Sequence, residues 1–200
     1  MIAKRVFDLA CSGIGLIVLS PVLVAIAIAI RLDSTGPVFF RQVRVGRGSM
    51  PFRIHKFRTM HAAQHANVPQ ITIGRDPRIT RVGHILRHTK LDELPQLLDV
   101  FLGKMSIVGP RPEVPRYVKH YPPALSNLIF RVRPGITDAA SLNFINESEL
   151  LACQKDPERY YIDHIIPIKN QYHVDYVNDM SLWRDITILF ATIKRIVVRS

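Results

Sequence analysis

Cysteine is scarce: Cys11 and Cys153 are the only two in 200 residues, and they show no metal or redox spacing. That count rules out a disulfide framework and points to a reducing compartment with no disulfide. There is no Gly/Ser linker, internal repeat or low-complexity tract, which removes solenoids and tethered arrays from consideration. Acidic residues are few, 16 against 27 Lys and Arg, giving a net charge of +11 and a sequence pI of about 10.1. A chain this basic seeks phosphates, whether of nucleic acid, anionic lipid or a nucleotide substrate. Charge of either sign is missing over the 22 residues between Asp8 and Arg31.

That charge-free run carries most local information. At about 1.5 Å per helical residue it is roughly 33 Å long if straight, enough for a hydrocarbon core of about 30 Å. Ser20-Pro21 interrupts its middle. Proline removes a backbone donor and clashes one turn back, so the run reads as helix-break-helix, each half too short to span. The freed backbone needs partners at membrane depth, and Ser20 offers a hydroxyl. Two other readings compete: a kinked transmembrane helix, and a secretory signal with Lys4-Arg5 as its basic start and Ala25-Ile26-Ala27 as a cleavage-like site. Basic residues stand on both flanks, Lys4 and Arg5 before, Arg31, Arg41, Arg44 and Arg47 after. The positive-inside rule then places both flanks in the cytoplasm and favours a segment that enters and leaves by the same face. The predicted division is a re-entrant membrane hairpin at 1–32 and a cytoplasmic catalytic domain at 33–200. The remaining roughly 170 residues suffice for a real core.

The predicted fold class is α+β, mainly helical, with a short β-hairpin and amphipathic interfacial helices. Val38–Val45 and Pro51–Thr59 read as the two strands around a Gly46-Arg47-Gly48 turn. Lys56 and Arg58, two apart, would share a face. Residues 61–79 read as a loop and Thr80–Lys90 as a short helix. Leu94, Leu97, Leu98 and Phe101 mark a buried helical face, with Asp92 as its N-cap and Gly103 as its end. Glu147–Cys153 and Pro157–Asn178 read as helices, the second kinked at Pro167. Ser181 caps a last helix to Val198, whose apolar stripe from Leu182 to Val197 suits a core or a membrane surface.

Asp92-Glu93 is the candidate reactive pair. Adjacent acids at a helix start usually serve capping alone. Here Arg81, Arg87, His88 and Lys90 precede them, and Lys104, Arg111 and Arg116 follow. Basic residues around two acids suit a place where anionic phosphates meet a carboxylate, with Asp92 as nucleophile and Glu93 as a ligand for Mg²⁺. His61 and His65 stand four apart without an acidic third ligand, too few for zinc. Gly46-Arg47-Gly48 reads as a turn rather than a phosphate cradle. Tyr160, Tyr161, Tyr172 and Tyr176 read as packing at least as well as an interfacial belt.

The chain resembles the bacterial sugar transferase family, the monotopic polyprenyl-phosphate phosphoglycosyltransferases. The matching motifs run in order along nearly the whole chain. They are Lys4-Arg5 with Asp8, Ser20-Pro21, Gly36-Pro37-Val38-Phe39-Phe40-Arg41-Gln42, Lys56-Phe57-Arg58-Thr59-Met60, Leu86-Arg87 and Leu91-Asp92-Glu93-Leu94-Pro95-Gln96-Leu97. Met105-Ser106, Val108-Gly109-Pro110-Arg111-Pro112, Arg133-Pro134-Gly135-Ile136-Thr137 and Ser181-Leu182-Trp183 with Asp185 complete the set. The resemblance implies transfer of a sugar 1-phosphate from a UDP-sugar to polyprenyl (undecaprenyl) phosphate, with release of UMP, as a first membrane step of glycan assembly. It implies an aspartyl phosphosugar intermediate on Asp92, Mg²⁺ on Glu93, and substrate contacts from Lys56, Arg58, Arg87, Arg111 and Asp185. It implies membrane lipid as a partner, no nucleic acid, and the cytoplasmic face of the bacterial inner membrane; a homodimer stays open. The run 138–146 departs from the Gly-Trp-Ala-Gln-Val-Asn-Gly-Arg of many members, so a nucleotide contact there does not carry over and the sugar stays unassigned. The competing functions are a membrane-tethered basic protein binding nucleic acid or anionic lipid, which leaves Asp92-Glu93 unexplained, and a glycosyltransferase moving the sugar alone, which would release UDP.

Overall fold

The structure, a computed structural model, describes residues 2–61, 71–74, 76–144 and 146–199. Helices α1 (Ile2–Val18) and α2 (Ser20–Asp33) meet at a bend of 61°. The bend has a local cause. Pro21 has no N–H to donate to the Ile17 carbonyl one turn back, and the Ser20 hydroxyl takes that carbonyl instead at 2.7 Å. The break is therefore internally satisfied. Among the described residues no single helix is long and apolar enough to cross a membrane; the bent pair together has the length and composition.

The charged residues ahead of the apolar run are docking groups. Lys4 Nζ donates to the Val108 carbonyl at 2.9 Å and pairs with Asp185 at 2.5 Å. Arg5 donates to the carbonyls of Val100 and Phe101 at 2.7 and 3.0 Å. Buried Asp8 accepts from the Ser106 hydroxyl and the Ile107 amide, both at 3.0 Å. By packing, the start of α1 belongs to the globular body, whereas the composition change at residue 32 suggested a separate unit. Lys4 and Arg5 are also partnered inside the protein, which weakens them as free topogenic charges.

The hairpin forms as two antiparallel pairs. Strand β1 (Phe39–Phe40) pairs with β4 (Lys56–Phe57), and β2 (Val43–Val45) pairs with β3 (Pro51–Arg53). The Ile54 amide to Gln42 carbonyl bond, 3.1 Å, and the Arg41 guanidinium on the Arg53 carbonyl, 3.4 Å, bridge the gap between them. The ladder ends at Phe57, so Lys56 and Arg58 do not share a strand face as expected. Helix α3 (Arg81–His88) starts on Thr80, whose hydroxyl accepts the Gly83 amide at 2.9 Å, and Asp33 at the end of α2 accepts the Val82 amide at 3.0 Å. Gly83 is required here: a Cβ would lie 2.1 Å from the Thr59 carbonyl oxygen. Ile26, Ile30, Phe57 and Leu86 form a small core that fastens α2 to α3 and the hairpin.

The expected helix over 92–103 is two elements. Leu91–Glu93 is a 3₁₀ turn, and α4 (Gln96–Phe101) begins after Pro95 with no side-chain cap. Asp92 is therefore no N-cap. Strand β5 (Ser106–Val108) follows, then α5 (Pro115–Val118), α6 (Pro123–Ile129) and β6 (Gly135–Thr137), which runs parallel to β5. Next come α7 (Ala139–Asn143), α8 (Glu147–Ala152) and α9 (Pro157–Tyr160). A π turn at Tyr161–Ile165 separates α9 from α10 (Ile166–Asn178). Pro167 sits in the first turn of α10, where its missing donor does least harm, so the break precedes it rather than kinking one long helix. Ser181 accepts the Arg184 amide at 3.2 Å and starts α11 (Leu182–Arg199) as expected.

Val100, Met105, Ile107, Val108, Tyr176 and Ile188 form the core beneath β5. Asp185 lies in it, fully buried, between Lys4 and the Tyr176 hydroxyl, which donates at 2.6 Å. Truncating one member of such a pair strands a buried charge. Asp185→Ala is expected to destabilise the fold by about 3–5 kcal/mol, read as a lowered midpoint of thermal or denaturant unfolding in detergent. A change under about 0.5 kcal/mol, typical of a surface substitution, would contradict this anchoring role.

Candidate active site

Two chain segments converge on the turn that holds Asp92 and Glu93. Strand β4 delivers Lys56, whose ammonium lies 2.8 Å from Asp92 Oδ2 and 3.3 Å from Glu93 Oε1. The loop after β5 delivers Arg111. Its guanidinium grips both Glu93 oxygens, Nη1 to Oε2 at 3.0 Å and Nη2 to Oε1. The turn holding the two acids follows Lys90, which adopts a left-handed backbone at φ 58°. For a residue with a Cβ that conformation costs about 1–2 kcal/mol.

The two acids differ in satisfaction. Asp92 is 2% exposed, and its Oδ1 is a buried oxygen with no hydrogen-bond partner among the described residues. Glu93 has both oxygens occupied. Burial works to raise its carboxyl, but Arg111, Lys56, the Arg111 hydrogen bonds and Lys90 together outweigh burial and hold it well below the ordinary carboxylate range. Arg111 is raised in turn, chiefly by Glu93.

A buried network holds the Arg111 loop. Glu113 accepts from Arg44 at 3.3 Å, from the Tyr161 hydroxyl at 2.6 Å and from the Val114 amide at 2.8 Å. Arg44 also donates to the Pro112 carbonyl at 3.1 Å. Asp138, directly after β6, accepts the Arg111 amide at 3.2 Å and the Ser141 amide at 2.7 Å, and pairs with His173 Nε2 at 2.7 Å. Burial opposes its ionisation, but His173 and Ser141 outweigh it and hold the carboxyl well below its usual range. The loop after β5 thus carries the arginine, and the residue after β6 holds its backbone.

The sequence model of the family described as "Bacterial sugar transferase" matches residues 1–199. A UDP-glucose:undecaprenyl-phosphate glucose-1-phosphate transferase of Escherichia coli (strain K12) is 38% identical over 193 residues, covering 95% of this chain and 39% of that protein. The transferase of the same name from Xanthomonas campestris pv. campestris is 39% identical, covering 98% and 39%. The one from Caulobacter vibrioides is 38% identical, covering 95% and 68%. The chain belongs to the bacterial sugar transferase family. It spans about two-fifths of the length of the first two of these relatives.

Within this family member, the expected site residues separate into two groups. Lys56, Asp92, Glu93 and Arg111 come together. Arg58 does not join them: its guanidinium makes four hydrogen bonds, to the Pro37, Thr35 and Ser34 carbonyls and the Ser34 hydroxyl, and straps the chain leaving α2. Arg87 donates to the Thr72 hydroxyl at 2.6 Å and carries no bond to the acid pair. Asp185 sits in the core under β5, as described. Among the described residues no group of three or more His, Cys, Asp or Glu could hold a metal; His65 lies outside them. Asp138, His173 and Glu113 were missed as supports of the Arg111 loop, whereas Lys90 is one of the basic residues already read around the acid pair. The Asp138 signal was present, since it opens the segment that departs from the family pattern.

Glu93 and Asp138 carry depressed folded pKa values, so their stabilising contribution is complete above the unfolded carboxylate range near pH 4 and is lost as pH falls through the folded values. Thermal stability is expected to be flat from about pH 8 to 5 and to fall below about pH 4. Asp138→Asn should reduce that acid sensitivity while lowering stability at pH 7. An unchanged acid limb in the variant would contradict the assignment.

Proposed function

We propose that this chain transfers a sugar 1-phosphate from a UDP-sugar to a polyprenyl phosphate such as undecaprenyl phosphate, through a covalent intermediate on Asp92. The observation that carries the proposal is the unpartnered, buried Asp92 Oδ1 beside a fully paired Glu93. The names of the relatives, which act on UDP-sugars and undecaprenyl phosphate, support the substrate classes.

Lys56 holds Asp92 through Oδ2 and leaves the Oδ1 lone pairs directed elsewhere. Oδ1 attacks the β-phosphorus of the UDP-sugar. The bond from that phosphorus to the oxygen bridging to the α-phosphate breaks, and UMP departs with the electron pair. An oxygen of the polyprenyl phosphate then attacks the same phosphorus and the Asp92 carboxylate leaves. The product is a polyprenyl diphosphate sugar and the carboxylate is regenerated. Arg111 and Lys56, paired with acids in the free protein, shift toward phosphate oxygens as substrate arrives.

Adjacent hard carboxylates suit Mg²⁺, a cation commonly held by one or two protein oxygens together with substrate phosphates. Glu93 would hold it once the Arg111 fork moves to the diphosphate. When bound, Mg²⁺ supplies charge neutralisation at the reacting phosphate. The same reaction places the protein at a membrane. The outward faces of α1 and α2 are apolar, with Ile14, Ile17, Val18, Val24 and Ile28 more than half exposed. Entry and exit by one cytoplasmic face keep the acceptor headgroup near Asp92.

With purified protein, a short polyprenyl phosphate and a panel of UDP-sugars, UMP is the expected product and chelation should abolish its release. Asp92→Asn, nearly isosteric, should keep the unfolding midpoint and lower turnover at least about 1,000-fold. Release of UDP, or substantial turnover by the variant, would sink the mechanism.

Topology is tested by labelling from each side of the membrane, with Cys11 and Cys153 replaced by serine and single cysteines placed at residues 2 and 194. Both are expected to label from the cytoplasmic side. Labelling of position 2 from the opposite side alone would establish a crossing helix instead.

A further inference from the structure

We propose that Lys90 is a third phosphate-binding cation of this site, taking the diphosphate of the incoming nucleotide sugar at the mouth of the turn that holds Asp92 and Glu93. This rests on the transfer reaction proposed above.

The first observation is its lack of commitment. Lys56 and Arg111 are both paired with the acids in the free protein. Among the described residues the Lys90 ammonium makes no hydrogen bond and no ion pair within 4.0 Å, although the residue stands in the field of Glu93, Asp92, Arg111 and Lys56. It is also open to solvent. An incoming anion can reach the ammonium without displacing a partner among the described residues.

The second observation is backbone strain. Ser49, at the tip of the β-hairpin, is the other described non-glycine residue with a positive φ. Lys90 keeps φ 58° immediately before the two acids, and its carbonyl accepts the Glu93 amide at 3.2 Å. Glycine or asparagine would take this conformation at lower cost. A lysine in their place gives up stability for something its side chain does, and such trades concentrate at binding sites. Because the ammonium stem rises from the same turn as the acids, its position is tied to theirs.

Lysine binds phosphate as a point charge rather than through a fork, so arginine should replace it in part.

The test compares Lys90→Asn and Lys90→Arg with wild type in the full chain, in detergent or nanodiscs. The readouts are the unfolding midpoint, UMP release at varied UDP-glucose and UDP-N-acetylgalactosamine, and the rise in unfolding midpoint produced by UMP alone. Lys90→Asn is expected to unfold at or above the wild-type temperature. Its KM for the UDP-sugar used should rise about tenfold or more, its KM for polyprenyl phosphate should hold, and its stabilisation by UMP should shrink. Lys90→Arg should recover most of these losses. An unchanged KM for UDP-sugar in Lys90→Asn overturns the proposal. So does a fall in unfolding midpoint that accounts for the lost activity, which would make Lys90 a backbone residue only. If wild type releases no UMP from either sugar nucleotide, the transfer reaction itself fails, and the response to UMP still decides whether Lys90 binds phosphate.

Discussion

Two carboxylates on consecutive buried residues are costly to a fold unless cations are brought to them. Much of the architecture around residues 91–93 performs that delivery. The β-hairpin exists in part to hold Lys56 within 2.8 Å of Asp92. The parallel pair β5 and β6 leads into the loop carrying Arg111 and into Asp138, and Asp138 accepts the arginine's backbone amide. Glu113, Arg44 and Tyr161 fix the intervening loop. The same cations that make the acid pair tolerable in the free protein are those an anionic diphosphate would recruit. In the proposed reaction one interaction would serve both the fold and the chemistry, and left-handed Lys90 stands beside it.

The apolar helical pair is coupled to this centre by polar contacts at both ends. At its start, Lys4 and Asp8 bind the backbone and side chains around β5, the strand that leads to Arg111. At its end, Asp33 caps α3, while Arg58 straps residues 34–37 one residue beyond the strand that carries Lys56. The bend between the helices needs no outside partner, because the Ser20 hydroxyl satisfies the carbonyl that Pro21 leaves open. A membrane-embedded segment built this way would transmit its depth to the acid pair through packed contacts rather than through a flexible tether.

Local signals in the sequence were legible where one residue determines the outcome. Pro21 located the bend, Ser181 the start of α11, Gly103 the end of α4, and a two-segment hairpin was visible around Gly46 to Gly48. Long-range pairings were less accessible. Nothing local shows that Lys4 meets Asp185, 181 residues away, or that Asp138 meets His173. Spacing placed Lys56 and Arg58 on one face, yet the strand stops at Phe57 and the two side chains part. Asp92 looked like a helix cap because capping chemistry and a tight 3₁₀ turn share the same residue preferences. The acid pair stood out in the sequence because basic residues flank it, and of those the structure brings Arg111 onto Glu93. The network that supports it was not, because buried hydrogen bonds leave no periodic trace.

The central claim is that Asp92 becomes covalently bonded to phosphorus. It is tested most directly by intact mass and peptide mapping of the protein after brief exposure to a UDP-sugar with no polyprenyl acceptor present. A mass increase equal to one sugar phosphate, localised to the peptide containing Asp92 and discharged when polyprenyl phosphate is added, is the predicted result. Turnover with no adduct at any time, or an adduct that persists unchanged in Asp92→Asn, would contradict it.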